Sequence, residues 1–561
     1  AGGAIYGDAN SMSGGEAGSD YIRVADMSGG VIYGDVAVGS GYKPGENEIF
    51  ITNTMSGGTI NSGHGNDTVD VGVLSDSGII NAGAGADSIK VGTMSGGTLN
   101  TSVGNDSINV GTMSGGTLNA GNGNDSVSIS VYDGGQINMG NGENSLNIMT
   151  QNADLQLGDI SATVLAINAG TGLSDNIIID NAIIGKRLSL DLATSGKTLE
   201  IGAISLSSEM YTKWLELGGE NTLNVKDITG ALYIYGDSAQ TTGVPGSDSV
   251  IDITCTSTTS AVIRGDYGTL TGAISGGNDK ITVNGDISSF IMGDATLMTG
   301  GSTGGDDAIV IDGDIYGADI YGDAQSLEGG ASGGDDSIRV TGAISGASKV
   351  CGDGRSIKEG VTGGDDSIWI DTLMTGAEVY GDAWDMTDST GGNDSIYITG
   401  TMNAGIIYGE GIAAPMTSHT PGNNYIEIAK FAGTQPKSIH AGDGGDTVAV
   451  LGVAVNTSNV SVSLSGGSGS GDGEYDYLDL SAMTTLGNDI SITVNGFDVN
   501  NNGVYDQIIY GSGIWTTPAP EATGIGDMYV LTHNASGNKL TLMISGTYAT
   551  KWEDVSEEYI P

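Results

Sequence analysis

The stretch TGGDDSIWI, residues 362–370, recurs almost word for word along the chain: SGGDDSIRV at 332–340, TGGDDAIVI at 303–311, TGGNDSIYI at 390–398 and SGGNDKITV at 275–283. Each copy opens on glycines and one or two acids, then runs into a short segment in which apolar and polar residues alternate. Alternation with period two marks a strand buried on one face. A carboxylate is thus placed repeatedly just before a strand, and the spacing of the copies decides the fold.

Two series of copies occur. From residue 54 the chain reads TMSGGTINSGHGNDTVDVG, VLSDSGIINAGAGADSIKVG, TMSGGTLNTSVGNDSINVG, TMSGGTLNAGNGNDSVSIS and VYDGGQINMGNGENSLNIM. The turn acids are Asp67, Asp87, Asp106 and Asp125, with Asn144 in the fifth line, at spacings of 20, 19, 19 and 19. A fixed period of this size means stacked coils. Ile108 and Val110 share one face, and Leu99 points away from Thr98 and Asn100. Each coil is therefore a flattened ring with a thin apolar interior, and rings stack at about 4.8 Å.

Residues 231–430 carry a longer coil. Its turn acids are Asp248, Asp279, Asp307, Asp336, Asp366 and Asp394, then Asn424, spaced 28–31 apart. The doublet's first position is Asp306, Asp335 or Asp365 in some coils and Asn in others. A second signature, of the form IYGD, ends at Asp237, Asp266, Asp294, Asp323, Asp353 and Asp382, and at Glu410 as IYGE. Its Ile or Val is expected in the core and its variable residue outside. Tyr6, Tyr33, Tyr235, Tyr321, Tyr380 and Tyr408 would then form an outward ladder. About ten residues such as AQSLEGGASG separate the two acids; they read as a loop budding from one turn, tolerant of change. At 442–446, GDGGD sets Asp443 and Asp446 together without an insertion, and the long form opens the chain with Asp8 and Asp20, then Asp35 and Asn47.

The sequence predicts an all-β protein, a parallel β-solenoid (β-roll or β-helix) of stacked 19- and ~29-residue coils, plus a small C-terminal β domain. Its segments are 1–149, calcium-binding solenoid; 150–230, metal-poor coils without acidic turns; 231–450, calcium-binding solenoid with loop insertions; and 451–561, the C-terminal β domain. In that last segment DVNNNGVYD places Asp498, Asn500, Asn502 and Asp506 at positions 1, 3, 5 and 9 of an EF-hand-like loop, with Gly503 at 6 and Ile509 where Glu is usual.

Composition bounds the function. There are 98 glycines among 561 residues without a G-X-Y period, so the chain is not collagen. With 68 acids against 18 bases the net charge is −50. That argues against nucleic acid, whose phosphates need a basic face, and it sets the chain against itself unless a cation intervenes. No run approaches the roughly 18 apolar residues of a membrane span. The opening AGGAIYGD, without initiator Met or signal peptide, reads as a processed mature chain. Cys255 and Cys351 are too few for a disulfide scaffold, and the four scattered histidines make no zinc pattern. No G-x-S-x-G or P-loop occurs, so no enzyme is expected. The RGD at 264–266 fills the repeat's signature slot and is read as part of it.

GHGNDTVDV at 63–71, GAGADSIKV at 83–91 and GNGNDSVSI at 121–129 resemble the calcium-binding nonapeptide of RTX (repeats-in-toxin) proteins. The resemblance implies multiple Ca²⁺ ions held between stacked turns by carbonyls and Asp side chains. The opposite turns, TMSGG or TGAISG, carry few acids, so calcium is expected along one edge. Charge alone points the same way: adjacent carboxylates one rung apart repel by roughly 3 kcal/mol at an effective dielectric of about 20, and a hard divalent ion between rungs turns that repulsion into coordination. The expected role is a secreted, extracellular, calcium-stabilised structural protein, self-assembling as the subunit of a bacterial surface layer or filament. The alternative is an RTX-type adhesin or host-binding stalk in contact with a cell surface or glycan.

Overall fold

The computed structural model describes residues 3–8, 11–35, 38–157, 160–172, 176–192, 198–206, 214–216, 221–229, 232–237, 245–255, 261–411, 420–442, 444–464, 476–495, 507–510, 514–516, 519–523, 526–544 and 551–554. Among them the chain is all-β, with mostly parallel strands in large sheets, consistent with a solenoid kind of fold. No helix of the described residues is long and apolar enough to cross a membrane. The chain separates into two compact units, Ala1–Ser238 and Ala239–Pro561.

In the first unit Ser107–Asn119 pairs in parallel with Ser88–Asn100 on one side and Ser126–Asn138 on the other. Ile108 faces Ile89 and Val127, and Leu118 faces Leu99 and Ile137. The 19-residue period is thus a pairing register, in which each side chain meets its own copy one rung away. Four apolar columns point inward, represented in one coil by Ile108, Val110, Met113 and Leu118, all at most 1% exposed. TMSGG is the corner between them: the ladder shifts there, and Gly116 sits at φ +88°, a backbone glycine adopts without strain. Outside, Asn61, Asn81, Asn100, Asn119 and Asn138 form an amide ladder, each Nδ2 donating to the preceding Oδ1. Pairing continues in parallel through residues 150–230, where Leu199 lies between Ile177 and Leu223.

Three of the parallel ladders among the described residues of the second unit bear on its acids. Ile281, Ile309, Ile338, Ile368, Ile396 and Ile426 stack in the first. Ile263, Ile291, Ile320, Val350, Val379 and Ile407, the apolar residues of the IYGD signature, stack in the second. The third corrects a sequence expectation. The inserted residues are not free loops: Thr269–Thr271, Leu297–Thr299, Ala324–Glu328, Gly354–Lys358 and Ala383–Thr387 form a five-stranded parallel sheet. It has its own core of Leu270, Met298, Leu327, Ile357 and Met386, each fully buried.

That sheet also overturns the reading of the variable signature position as outward. Met292, Tyr321, Cys351 and Tyr380 are buried together. Tyr380 and Tyr408 stack at 4.9 Å, and His440 continues the stack at 4.9 Å. In the first unit, Tyr6 is exposed and stacks on Tyr33 at 5.2 Å. The column of rings exists, and what covers it differs.

Residues 451–561 fall in the second unit, where Val460–Ser463, Ile490–Asn495 and Lys539–Ile544 continue in parallel. An antiparallel run, Ala519–Thr523 with Gly526–Thr532 and Lys539–Ile544, follows. Trp515 is buried, its Nε1 donating to Leu480 O at 3.0 Å. The EF-hand-like loop of Asp498, Asn500, Asn502 and Asp506, and Asp443, lie outside the described residues.

Because the inserted sheet is packed, Leu327→Ala is expected to cost about 2–5 kcal/mol in urea unfolding at fixed calcium, the range for emptying a buried leucine site. A cost under about 0.5 kcal/mol, ordinary for a surface change, would return the insertions to the status of loops.

Candidate metal centre

The turns of the second unit bring together two rows of acids that lie far apart in sequence. One is the signature row: Asp266, Asp294, Asp323, Asp353, Asp382 and Glu410. Each accepts a backbone N–H ten to twelve residues further on, from the glycine two residues before the inner acid or amide of the next turn. Gly277 N donates to Asp266 Oδ2 at 2.8 Å, Gly305 N to Asp294 Oδ2 at 3.0 Å, Gly364 N to Asp353 Oδ1 at 2.9 Å and Gly392 N to Asp382 Oδ1 at 2.7 Å. Asp323 accepts from Gly334 and Glu410 from Gly422 in the same way.

The inner doublet row is Asp279, Asp307, Asp336, Asp366 and Asp394. Each Oδ1 accepts the N–H of the inner residue one coil earlier: Ser249 N to Asp279 and Asp279 N to Asp307 at 2.6 Å, Asp307 N to Asp336 and Asp336 N to Asp366 at 2.7 Å, Asp366 N to Asp394 at 2.9 Å. These acids are 1–2% exposed, and Asp294, Asp323, Asp353 and Asp382 are fully buried. The two rows touch, since oxygens of Asp266, Asp279 and Asp294 lie within 4.8 Å of one another.

The second oxygens are left over. Oδ2 of Asp307, Asp336, Asp353, Asp366, Asp382 and Asp394, and Oδ1 of Asp266 and Asp294, are buried without a hydrogen-bond donor. Such groups are costly unless something satisfies them. Glycine makes the room. A Cβ on Gly322 would lie 1.9 Å from Asp336 Oδ2 and 1.9 Å from Gly352 O; Gly293 and Gly352 repeat the arrangement with Asp307 and Asp366. A carboxylate oxygen and a backbone carbonyl oxygen thus both crowd the space beside one bare Cα. Several buried hard oxygens held by glycine-rich turns suit a divalent cation of the calcium type, so the residues fit the ion the sequence called for.

Burial is the first cause of the raised pKa of Asp307, Asp336, Asp366, Asp382 and Asp394, and neighbouring carboxylates add to it. Asp323 is pushed up by burial and then by Asp336 and Asp353.

The first unit uses a simpler version. Asn47, Asp67, Asp87 and Asp106 donate their N–H to Oδ1 of Asp67, Asp87, Asp106 and Asp125, at 2.7–3.0 Å. Its 19-residue coils have no signature acid; the slot of Asp35 passes to Gly63 and Gly83, so one carboxylate row stands alone. Burial lifts Asp67 and Asp125 to about 6 and Asp87 to about 7, and also raises Asp106. Near the start the paired form returns. Asp8 accepts from Gly18 N at 3.0 Å, Asp35 from Gly45 N at 3.2 Å, and Asp20, raised by burial, Asp8 and Asp35, faces Gly7 with an oxygen lacking a donor. Asp237 is buried at the end of its signature.

The sequence-picked acids separate into inner and outer positions. Asp306, Asp335 and Asp365 are exposed and form an outer row, bonded N–H to Oδ1 from coil to coil: Asp335 N to Asp306 at 3.1 Å and Asp365 N to Asp335 at 2.9 Å. Asp248 belongs to that row, since Asn278 N donates to it at 2.8 Å, and Ser249 holds the inner place. The GSDS spelling lacks the second acid that would have shown the register. Asp446 is inner, and it leads to Asp476, which sequence reasoning missed: Asp446 N donates to Asp476 Oδ1 at 2.9 Å. GEYDYLDL carries no glycine doublet, and only its alternating strand signals the turn. No family model, curated protein or solved structure matches the chain.

Stability without metal follows from the raised pKa values. Asp67, Asp87 and Asp125 hold a proton more tightly folded than unfolded, so their contribution is full below the unfolded value near 3.8 and is lost as pH rises through about 6–7. Metal-stripped protein should therefore show urea midpoints that fall from pH 4 to pH 7. A midpoint that rises over this interval would contradict the buried-carboxylate account.

Proposed function

We propose that the chain is a secreted, non-catalytic β-solenoid of 19- and ~29-residue coils whose acidic turns are locked by calcium ions, and that it serves as a structural subunit of a bacterial surface layer or filament. The observation that carries the metal part is the convergence of a donor-less Asp oxygen and a carbonyl oxygen on a bare glycine Cα, repeated coil after coil. Asp266, Asp279 and Asp294 would hold one ion, and the later pairs of signature and inner acids the next. The ion would supply charge neutralisation and oxygen coordination in place of the missing donors. The motif likeness to RTX repeats supports the same reading. A structural role follows from the acids' placement: they are spent on tying coil to coil, in register with the strands. Head-to-tail pairing of ladder edges between copies would give the polymer.

The test is calcium withdrawal from dispersed monomers. Excess EGTA should abolish the β circular-dichroism signal or lower the melting temperature by more than about 15 °C, because the buried acids lose their counter-ion, and calcium should restore it. Electron microscopy of the refolded protein should show regular filaments or sheets. An unchanged spectrum in metal-free protein would sink the calcium reading. Dispersed rods at all concentrations would sink the polymer and favour the adhesin alternative.

A further inference from the structure

We infer that the coils are of two kinds, cation-held and amide-held, and that a single atom type at the inner position decides which. This rests on the calcium reading above. At Asp336 the outer carboxylate oxygen and Gly352 O crowd the same glycine, Gly322. At Asn424 the equivalent glycine is Gly409, and there Asn424 Nδ2 stands beside Ala441 O and donates to it at 3.4 Å. At Asn47 the glycine is Gly34, and Asn47 Nδ2 donates to Ser62 O at 3.1 Å and to the signature acid Asp35 at 3.2 Å. Asn144 likewise donates to Met139 O and Gly140 O, at 3.1 and 3.2 Å. The other side-chain oxygen does the same work in both kinds: Asp394 N donates to Asn424 Oδ1 at 2.9 Å as Asp307 N does to Asp336 Oδ1. Asn therefore preserves the coil-to-coil bond and puts a proton donor where Asp leaves a place for a cation. The coils at Asn47, Asn144 and Asn424 take no ion at this point; those at Asp307, Asp336, Asp366 and Asp394 do.

Calcium counted by atomic emission on stripped, reloaded and desalted full-length protein tests this. Asn424→Asp should raise the count by about one ion per chain, and Asp336→Asn should lower it by about one, since each inner acid completes one oxygen cage. In EGTA, Asp336→Asn should melt higher than the native chain, because a buried uncompensated charge has been replaced by a satisfied amide. Asn47→Asp is the second variant should Asn424→Asp not fold. Native protein without bound calcium would end the reading on which this rests. Native protein that binds calcium, with counts unmoved by both Asn424→Asp and Asp336→Asn, would overturn the inference alone.

A different observation carries a second inference: the geometry points to a binding subsite for a neutral oligosaccharide on the outer face of the second unit. Arg339, Trp369 and Tyr397 occupy one register row on three adjacent strands. The Trp369 and Tyr397 rings stack face to face, their centroids 5.6 Å apart and their planes within 7° of parallel, with Tyr425 tilted beyond at 5.8 Å. Two residues along, the next outward row is Thr341, Asp371 and Thr399, all exposed. Together with Arg339, Val340 and Trp369 they line a depression of about 280 Å³. Thr372 Oγ1 donates to Asp371 Oδ2 at 3.0 Å, which holds that carboxylate in place. Tyr397 covers one face of Trp369, and the side of Trp369 that lines the depression is the one offered to the weakly positive C–H groups of a sugar ring, while hydroxyls and one acid and one base at the rim suit its O–H groups. The chain's charge of −50 disfavours an acidic glycan.

Calorimetry on the calcium-loaded chain with cellohexaose, maltohexaose and tri-galacturonate as probes decides it. One neutral hexasaccharide should bind, Trp369→Ala should weaken it at least about tenfold, and Trp369→Phe should keep part of the affinity. Trp384→Phe, on the inserted sheet, should leave it unchanged. Absence of neutral binding with Kd below about 10 mM, preference for tri-galacturonate, or binding that survives Trp369→Ala would each overturn the proposal.

Discussion

Everything in this protein follows from stacking identical carboxylates in register inside a parallel ladder. A parallel strand that pairs with its own copy places every residue beside its equivalent. For isoleucine this makes a column of apolar contacts; for aspartate it makes a column of like charges. The buried inner acids bond to one another's backbone through Oδ1, so the interaction that fixes the register also fixes the charges in line. A proton or a cation must then enter the column, and the glycines opposite Oδ2 keep open the space that a side chain would fill.

The long coils intensify that demand. Their inserted strands form a separate parallel sheet, whose Trp384 packs against the buried variable residues Met292, Tyr321, Cys351 and Tyr380, and the signature acids Asp266, Asp294, Asp323, Asp353 and Asp382 are fully buried. The inner acids are 1–2% exposed in both designs, and the long coils add a second buried row to them. Each long coil therefore has more buried carboxylate to compensate than a 19-residue coil has.

Much of this was legible because period and register are the same thing in a parallel stack. The spacing of Asp67, Asp87, Asp106 and Asp125 predicts which side chains meet, and alternation predicts which face inward. What escaped was whatever depends on a neighbour that the repeat does not spell. Tyr321, Tyr380 and Cys351 look outward in a coil taken alone, and the strand that covers them is written in AQSLEGGAS-type segments. Those are glycine-rich, with the few apolar residues that build their core, such as Leu327, set singly. Asp248 was misplaced by one position because GSDS has a single acid, and Asp476 was missed because its turn lacks the glycine doublet. The meaning of Asn47, Asn144 and Asn424 was invisible in sequence, where each simply stands in the place of the turn acid. Only the placement of Nδ2 shows them acting as donors.

The inner and outer rows also differ in direction. An inner acid accepts from the coil before it, as Asp336 does from Asp307 N, whereas an outer acid accepts from the coil after it, as Asp306 does from Asp335 N. Each turn is thus tied to both neighbours by side-chain oxygens, independently of the strand ladders. In a repeat protein whose stability is the sum of coil and nearest-neighbour terms, this raises the neighbour term relative to the coil term, since a coil's own thin interior contributes little. Such a chain gains cooperativity along its axis at the turns, and it gains it where the cations would sit. At Asn424 these ties run on unbroken, Asp394 N donating to its Oδ1 and its own N–H to Asp446 Oδ1, so on the proposed reading the file of ions would pause there while the backbone ties continue.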